Sequence, residues 1–210
     1  MTELYYKALG DSLTTGVGSF FSKGFVSQYA SAATKHLKRP IRTEMFAANK
    51  LTSGNLLYRL QDKNVQSRLM YGNIFTITTG GNDLINANKY FNDTYDAQIF
   101  HITAEQFHSN VTEILLEIER AKAAFTTPYF IRLIGLYNPY PQLSYSHYWV
   151  SRFNQVLLSF EKPHIRYVDI YTPFYYGGEQ LLSFRGIHPN RQGYEIIADQ
   201  IVKKGFSPLK

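Results

Sequence analysis

Short apolar runs alternate along the chain with longer segments whose apolar residues recur at helical spacing. The short runs are rich in β-branched and aromatic residues and are bounded by Gly, Asn or Pro, which is typical of buried strands. Five strands are predicted, at residues 4–9, 41–47, 74–79, 129–136 and 165–170. Strands separated by helices pair in parallel through right-handed crossovers. The pattern therefore predicts an α/β fold, in which a five-stranded parallel sheet lies between two layers of helices.

The clearest helical pattern runs from about Ala104 to Phe125, where apolar side chains recur at spacings of three, four and seven. Thr103 and Gln106 fit a capping box, in which two side chains satisfy free backbone N–H groups at a helix start. Further helices are predicted at about 23–37, 56–61, 146–160 and 191–204. We find no internal repeat or linker, so residues 1–210 are expected to form a single domain.

The composition narrows the class of protein. With 44% apolar and 18% charged residues, the chain can bury a full core. The absence of cysteine excludes disulfide scaffolds, thiolate zinc sites and cysteine nucleophiles. No apolar run approaches the ~18 residues of a membrane-spanning helix, and the N-terminal segment shows no secretory signal. The default expectation is a cytoplasmic protein, with spore association or export by an unrecognised route left open.

The formal net charge of +6 favours anionic partners. The basic residues are scattered and form no helix-turn-helix or RNA-recognition signature, so we expect no nucleic acid but allow peripheral contact with an anionic lipid surface. Seventeen Tyr and fifteen Phe are more than a core usually requires. Aromatic clusters at 90–91, 137–140 and 174–176 are predicted to lie in loops, where they line an apolar ligand cleft or form a tyrosine-rich rim of the core.

Candidate chemistry follows the predicted strands, because ligands of open parallel sheets bind beyond the carboxyl ends of the strands. Ser12, within Gly-Asp-Ser-Leu, follows the first strand on a turn whose free N–H groups suit a developing negative charge, although serine is also an ordinary helix cap. Asn82, within Gly-Gly-Asn-Asp, follows the third strand and offers an amide donor for an oxyanion, or simply completes a turn. Gly54, after the second strand, offers a backbone N–H to the same cleft.

One of the six histidines stands in a setting that suits a catalytic base. His188 lies within Gly-Ile-His-Pro-Asn, a rigid loop before a predicted helix, where a base can be held within reach of a serine hydroxyl. No pair of histidines has the HExxH spacing of a zinc site, so no metal is expected.

Taken in order, the segments around Ser12, Gly54, Asn82 and His188 resemble the GDSL or SGNH hydrolase family. The resemblance spans residues 9–198 and includes a Tyr-Asn-Pro segment at 137–139 that is similar to a loop of bacterial members, among them lipases of spore-forming bacteria. It implies a flavodoxin-like three-layer α/β/α sandwich that needs no cofactor.

The resemblance also implies a role for each matching residue. Ser12 would attack an ester carbonyl, and the backbone N–H groups of Ser12 and Gly54 would hold the oxyanion together with the side-chain amide of Asn82. His188 would take the serine proton and return it to the leaving alcohol.

One position departs from the family pattern. Members usually carry Asp three residues before the histidine, where this chain has Arg185, which cannot accept the histidine Nδ1–H. A backbone carbonyl near Arg185 could orient His188, another carboxylate such as Asp169 or Glu179 could reach it, or the site could be impaired. Of these, we favour a Ser-His dyad helped by a carbonyl.

The function implied by the resemblance is carboxylic-ester hydrolysis. The apolar and aromatic loops favour an acyl chain over a sugar, so a lipase, esterase or (lyso)phospholipase that acts through an acyl-serine intermediate is expected. The substrate would be a small-molecule ester or a phospholipid. The alternative is a catalytically impaired binding module, on account of Arg185. The sequence assigns neither the acyl length, the headgroup nor the oligomeric state.

Overall fold

A parallel sheet of five strands forms the centre of the protein in a computed structural model that describes residues 2–19, 24–183 and 186–210. The strands are β1 (Leu4–Gly10), β2 (Ile41–Ala47), β3 (Ile74–Thr78), β4 (Phe130–Ile134) and β5 (Ile165–Val168). Their order is β2-β1-β3-β4-β5, and all neighbours pair in parallel. This is the doubly wound, flavodoxin-like order. The predicted fold class is therefore confirmed.

Helices cover both faces of the sheet. They are α1 (Ser12–Thr15), α2 (Phe25–Leu37), α3 (Ser53–Leu60), α4 (Lys63–Leu69), α5 (Gly81–Thr94), α6 (Gln98–Ala123), α7 (Ser146–Ser159), α8 (Tyr171–Gly177) and α9 (Arg191–Lys203), with a 3-10 helix at Gly178–Leu181. The core on one face is built from α3 to α7, and the core on the other from α2, α8 and α9. In the described part of the chain, no helix has the length and apolar character that crossing a lipid bilayer requires.

The burial of each strand follows from its place in the sheet. Every residue of β3 and β4 is buried, as expected for parallel strands covered on both faces. The edge strand β2 is mostly exposed or half-buried, which explains the charged residues in its sequence. The strand order reverses between β1 and β3, and a crevice opens there at the carboxyl edge of the sheet, so the segments that follow these two strands are neighbours.

Some local predictions are wrong, and helix α6 shows why. It begins at Gln98 rather than near Ala104, so Thr103 lies inside it and its hydroxyl donates to the Ile99 carbonyl (2.7 Å) instead of forming a capping box. A threonine in a helix interior commonly makes this bond to the preceding turn. The end of the helix also differs, since Phe125 lies beyond it and is 40% exposed.

Two of the three aromatic clusters that were predicted to lie in loops belong to helices. Residues 90–91 lie in α5, and residues 174–176 lie in α8. Helix α5 was not predicted because many of its positions are Asn or Asp, which weakens the apolar periodicity on which helix prediction depends.

Candidate active site

The turn that carries Ser12 is shaped by the neighbouring strand. Ser12 is the first residue of α1, and Asp11 caps that helix by accepting the Leu13 N–H (3.0 Å). The Thr78 hydroxyl at the end of β3 donates to the same carboxylate (2.8 Å). Gly10 has a φ of 143°, and a Cβ there would lie 2.2 Å from Thr78 Oγ1. Only glycine fits between the two strand ends at this point.

A buried chain of hydroxyl groups extends this arrangement beneath the serine. Thr14 Oγ1 lies 2.8 Å from Thr78 Oγ1 and also donates to the Leu9 carbonyl (3.2 Å). The Asp11 backbone N–H donates to Thr78 Oγ1 (3.2 Å). Burial raises the pKa of the Asp11 carboxyl group, while its hydrogen bonds act in the opposite direction. The turn is thus held by the bonds of Asp11 and Thr14 to Thr78 at the end of β3.

The structure brings Ser12 and His188 together across 176 positions of sequence. His188 Nε2 lies 2.8 Å from Ser12 Oγ, which is hydrogen-bond distance for a nucleophile and its base. Burial lowers the pKa of the half-buried His188 imidazole. The ring is therefore neutral, and able to accept the serine proton, at a lower pH than an exposed histidine.

The histidine loop is held mainly through backbone groups. The Ser183 N–H donates to the His188 carbonyl (2.8 Å), and the Tyr137 hydroxyl donates to the Ile187 carbonyl. The side chain of Asn190 donates to two further carbonyls of the preceding segment and caps α9 by accepting the Gly193 N–H (3.0 Å). Tyr137 itself stacks on Phe174, with ring centroids 4.4 Å apart.

No carboxylate bonds to His188 within the described residues. Asp169 accepts the Thr172 N–H at the start of α8 (3.1 Å), and Glu179 is exposed in the 3-10 helix. Neither of these two predicted alternatives contacts the imidazole. Arg185, at the usual acid position, lies outside the described residues.

Asn82 lies in the first turn of α5, directly after β3. Its Nδ2 donates one hydrogen to the Leu51 carbonyl (2.9 Å), which leaves the second amide hydrogen for another acceptor. The adjacent Asp83 carboxylate accepts both the backbone N–H (2.9 Å) and the hydroxyl (2.5 Å) of Ser53. The Asn-Asp pair therefore fixes the segment after β2 against the start of α5.

Two residues after β2, Lys50 and Gly54, have backbone N–H groups near the site, and only one of the two residues lines the cavity. Among the described residues, the lining of the cavity around Ser12 includes Lys50 but not Gly54, which lies in the first turn of α3. Lys50 has a left-handed φ of 63°, and its N–H has no acceptor in the described chain. The sequence carries no sign of Lys50 as a donor, because a backbone N–H leaves no mark on the residue type. The role of Gly54 stays a prediction.

A cavity of 620 Å³ opens beside Ser12 and His188. Stacked Phe100 and Trp149, with ring centroids 5.1 Å apart, contribute to its lining. The remaining apolar lining comes mainly from the 136–145 segment, α5 and α7: Leu84, Ile85, Leu136, Tyr137, Pro139, Tyr140, Leu143, Tyr145 and Val150. The prediction that the aromatic cluster at 137–140 lines an apolar cleft is confirmed for Tyr137 and Tyr140, and ligand binding there stays a prediction.

The other two aromatic clusters do not line this cavity within the described chain. Phe91 packs against Phe100 and Tyr145 from outside, and Phe174 is buried behind Tyr137. The remaining tyrosines of the clusters are exposed at the surface: Tyr90, Tyr175 and Tyr176. For these two clusters the cleft alternative is wrong, because α5 and α8 turn their side chains toward the core or toward solvent, and the packing of Phe91 and Phe174 on the core agrees with the alternative of an aromatic rim.

No group of three potential ligands among His, Cys, Asp and Glu could hold a metal ion within ranges 2–19, 24–183 and 186–210. The chemistry available here is that of a serine, a neutral imidazole and hydrogen-bond donors beside an apolar cavity.

Comparisons with known proteins agree with this geometry. The GDSL-like Lipase/Acylhydrolase family matches residues 8–196. The spore germination lipase LipC of Bacillus licheniformis is 31% identical over 209 residues, which cover 99% of each chain. The lipase Lip_vut3 from a goat rumen metagenome has a TM-score of 0.92 at 32% identity, covering 99% of this chain and 100% of its own. The acetylxylan esterase Axe2 from Geobacillus stearothermophilus shares the fold, with a TM-score of 0.69 at 17% identity over 97% and 95% of the chains.

Proposed function

The chain belongs to the GDSL-like lipase/acylhydrolase family and is a carboxylic-ester hydrolase, and from this premise we propose that Ser12 is its nucleophile and forms an acyl-serine intermediate. The observation that carries the proposal is the 2.8 Å separation of Ser12 Oγ from His188 Nε2. A serine hydroxyl is a weak nucleophile until an adjacent base removes its proton.

In the proposed reaction, His188 Nε2 takes the Ser12 proton while Ser12 Oγ bonds to the ester carbonyl carbon. The tetrahedral intermediate collapses when the bond to the alcohol oxygen breaks, and His188 returns the proton to that oxygen. Water then attacks the acyl-serine with His188 again as base, releasing the carboxylic acid and restoring the hydroxyl.

The oxyanion is proposed to be held by donors from three strand ends. Ser12 contributes its backbone N–H, which has no helical partner at the first position of α1. Asn82 contributes its second amide hydrogen, since Leu51 accepts the first. The segment after β2 contributes a backbone N–H, from Gly54 according to the sequence pattern or from Lys50 according to the cavity lining. Preorganised donors of this kind typically contribute ~10²-fold or more in rate.

We propose an acyl chain of a fatty acid as the occupant of the cavity, and thus a lipase, esterase or (lyso)phospholipase. The 620 Å³ cavity has the size and the mostly apolar lining of small-molecule sites. The formal charge of +6 would favour peripheral contact with an anionic lipid surface. Spore association is a further proposal, which rests on the 31% sequence identity with the spore germination lipase of Bacillus licheniformis.

The alternative of an impaired binding module gains no support from the comparisons. The two hypotheses nevertheless make opposite predictions for the serine. An activated Ser12 reacts with a fluorophosphonate probe and turns over a short-chain p-nitrophenyl ester, whereas a binding module does neither.

The experiment that tests the proposal measures both reactions for the wild-type protein and for Ser12→Ala at matched concentration. Ser67→Ala is the control, because Ser67 is exposed on α4 and bonds only within its own helix. We expect labelling and turnover to disappear in Ser12→Ala and to persist in Ser67→Ala. Turnover that survives the loss of Ser12 would refute the acyl-serine mechanism.

A further inference from the structure

One face of α5 forms a polar row along the cavity. Asn82, Asn86 and Lys89 occupy positions i, i+4 and i+7, which lie on the same side of a helix, and all three line the cavity. The seven-residue separation of Asn82 and Lys89 corresponds to about 10 Å along the helix axis. We call these three residues the polar track. It leads from the proposed oxyanion donor to an ammonium group.

Most of the rest of the cavity is apolar, and polar side chains there such as Asn88 and Asn138 bond to neighbouring lining residues. Phe100 of α6 and Trp149 and Val150 of α7 contribute apolar side chains, as do Leu136 and Leu143 of the segment that follows β4. A cavity with a mostly apolar lining and a polar row along one helix suits an ester with two unlike parts. The acyl chain would contact the apolar lining, and the alcohol part would contact the polar track.

Two lysines give the cavity an unbalanced positive charge. Lys50 and Lys89 both line it, both are exposed, and neither makes a hydrogen bond or ion pair to any described residue. Asp11 is the one acidic residue among the described lining, and its carboxylate already accepts the Leu13 N–H and the Thr78 hydroxyl. Lys7, by contrast, is paired with Glu44. The cavity therefore offers two cations that no described side chain neutralises.

We infer that the polar track and Lys50 bind an anionic, phosphate-type group on the alcohol part of the ester, and so select phosphate-bearing acyl esters over neutral ones. This inference rests on the proposed function. The amide of Asn86 donates to the polar alcohol, and the ammonium groups of Lys50 and Lys89 donate to the phosphate oxygens, while Asn82 donates to the oxyanion at the start of the track. Hydrogen bonds between ionised partners are roughly twice as strong as those between neutral groups.

The test compares two soluble esters that share one short acyl chain, an acylglycerol phosphate and the corresponding acylglycerol, both as monomers. The measured quantity is the ratio of kcat/KM for the phosphate ester to kcat/KM for the neutral ester. We expect the wild-type ratio to exceed one and to fall as salt is added, because exposed charges are screened. Lys89→Gln and Lys50→Gln should each lower the ratio about two- to fivefold, the scale of one exposed ion pair.

The matched control is Lys63→Gln, since Lys63 is exposed on α4 and does not line the cavity. Its ratio should equal that of the wild type. A ratio that Lys89→Gln and Lys50→Gln leave unchanged would overturn the inference. A lysine effect that appears only with esters in anionic vesicles would also overturn it, because the lysines would then act on a lipid surface and not on the bound substrate.

A competition experiment with inorganic phosphate distinguishes a site for the phosphate group of the substrate from a site for the free ion. The inference is supported if free phosphate inhibits hydrolysis of the neutral ester, if Lys89→Gln weakens this inhibition, and if the wild type prefers the phosphate ester. Competition by free phosphate without any such preference assigns the site to the free ion and overturns the inference. Ser12→Ala, measured in parallel, must abolish turnover of both esters. If it does not, the proposed mechanism fails, whatever the lysine ratios show.

Discussion

Ser12 and His188 lie 2.8 Å apart, yet the segments that carry them are held in different ways. The Ser12 turn is supported by buried side chains, because Asp11, Thr14 and Thr78 form a continuous network under it. The His188 loop is supported mainly by bonds to backbone carbonyls, and no carboxylate among the described residues orients its imidazole.

The sheet preorganises the Ser12 turn more directly than it does the His188 loop. The serine side connects two adjacent strands through side-chain hydrogen bonds, so its geometry depends on these bonds and on the relative position of β1 and β3. The histidine side follows the last strand and depends on contacts such as that of Tyr137 with Ile187. We therefore expect the serine side to be sensitive to single buried hydroxyl groups, and the histidine side to respond to charge and pH.

The largest effect on the serine side is expected from the oxyanion donor. Asn82→Ala should lower kcat by ~10²-fold or more with a small change in KM, because the donor acts chiefly on the transition state. Steady-state kinetics on a p-nitrophenyl ester measures this split. Asn92→Ala, at the exposed far end of the same helix, is the control, and a kcat equal to that of the control would exclude Asn82 from the oxyanion site.

The next effect concerns Thr78, a positioning residue that acts through Asp11. Thr78→Val removes the hydroxyl that donates to the Asp11 carboxylate, leaving a buried acceptor without one of its partners. We expect about 1–3 kcal/mol lower stability and about tenfold lower kcat with little change in KM, since Ser12 shifts slightly. Chemical denaturation and kinetics measure the two effects. Thr78→Ser should restore most of kcat, and equal activities of Val and Ser variants would show that the hydroxyl has no positioning role.

The pH dependence of kcat/KM tests the histidine side of the site. Burial lowers the pKa of His188, and only the neutral imidazole accepts the serine proton. The value of kcat/KM should therefore rise with pH through an apparent pKa below the ordinary 6.5 and then level off. Below that pKa it should fall about tenfold per pH unit. An apparent pKa above 6.5 in this profile would instead indicate a nearby negative charge that stabilises the imidazolium.

The smallest effect is expected at Arg185, whose position is known from the sequence alone. Arg185→Asp supplies the carboxylate that the family pattern places three residues before the histidine. We expect kcat/KM to rise a few-fold. The apparent pKa of its pH profile should also move to higher pH, because a carboxylate raises the pKa of a neighbouring histidine. Rate–pH profiles of the two proteins provide the measurement. A lower rate would mean that the arginine serves a purpose of its own.

Much of the fold was predictable because it depends on local patterns. The predicted bounds of β2 agree with the structure, and those of the other strands differ by only one or two residues at their ends. The motif around Ser12 was equally visible, since the left-handed Gly10 and the capping Asp11 are chemical requirements of that turn. Helix α5 was missed because its polar residues serve the cavity and not a core-facing stripe.

Apolar periodicity and turn chemistry act over a few neighbouring positions, so the sequence predicted the five strands, helices α2, α3, α6, α7 and α9, and the residue types that form the site. Contacts between distant segments are visible only in the folded protein: Lys50 lines the cavity, the Asp169 carboxylate bonds to the Thr172 N–H and not to His188, and Phe174 supports Tyr137 from behind. These contacts join segments from different strand ends. A parallel sheet brings such segments together through its strand order, whatever their separation along the chain.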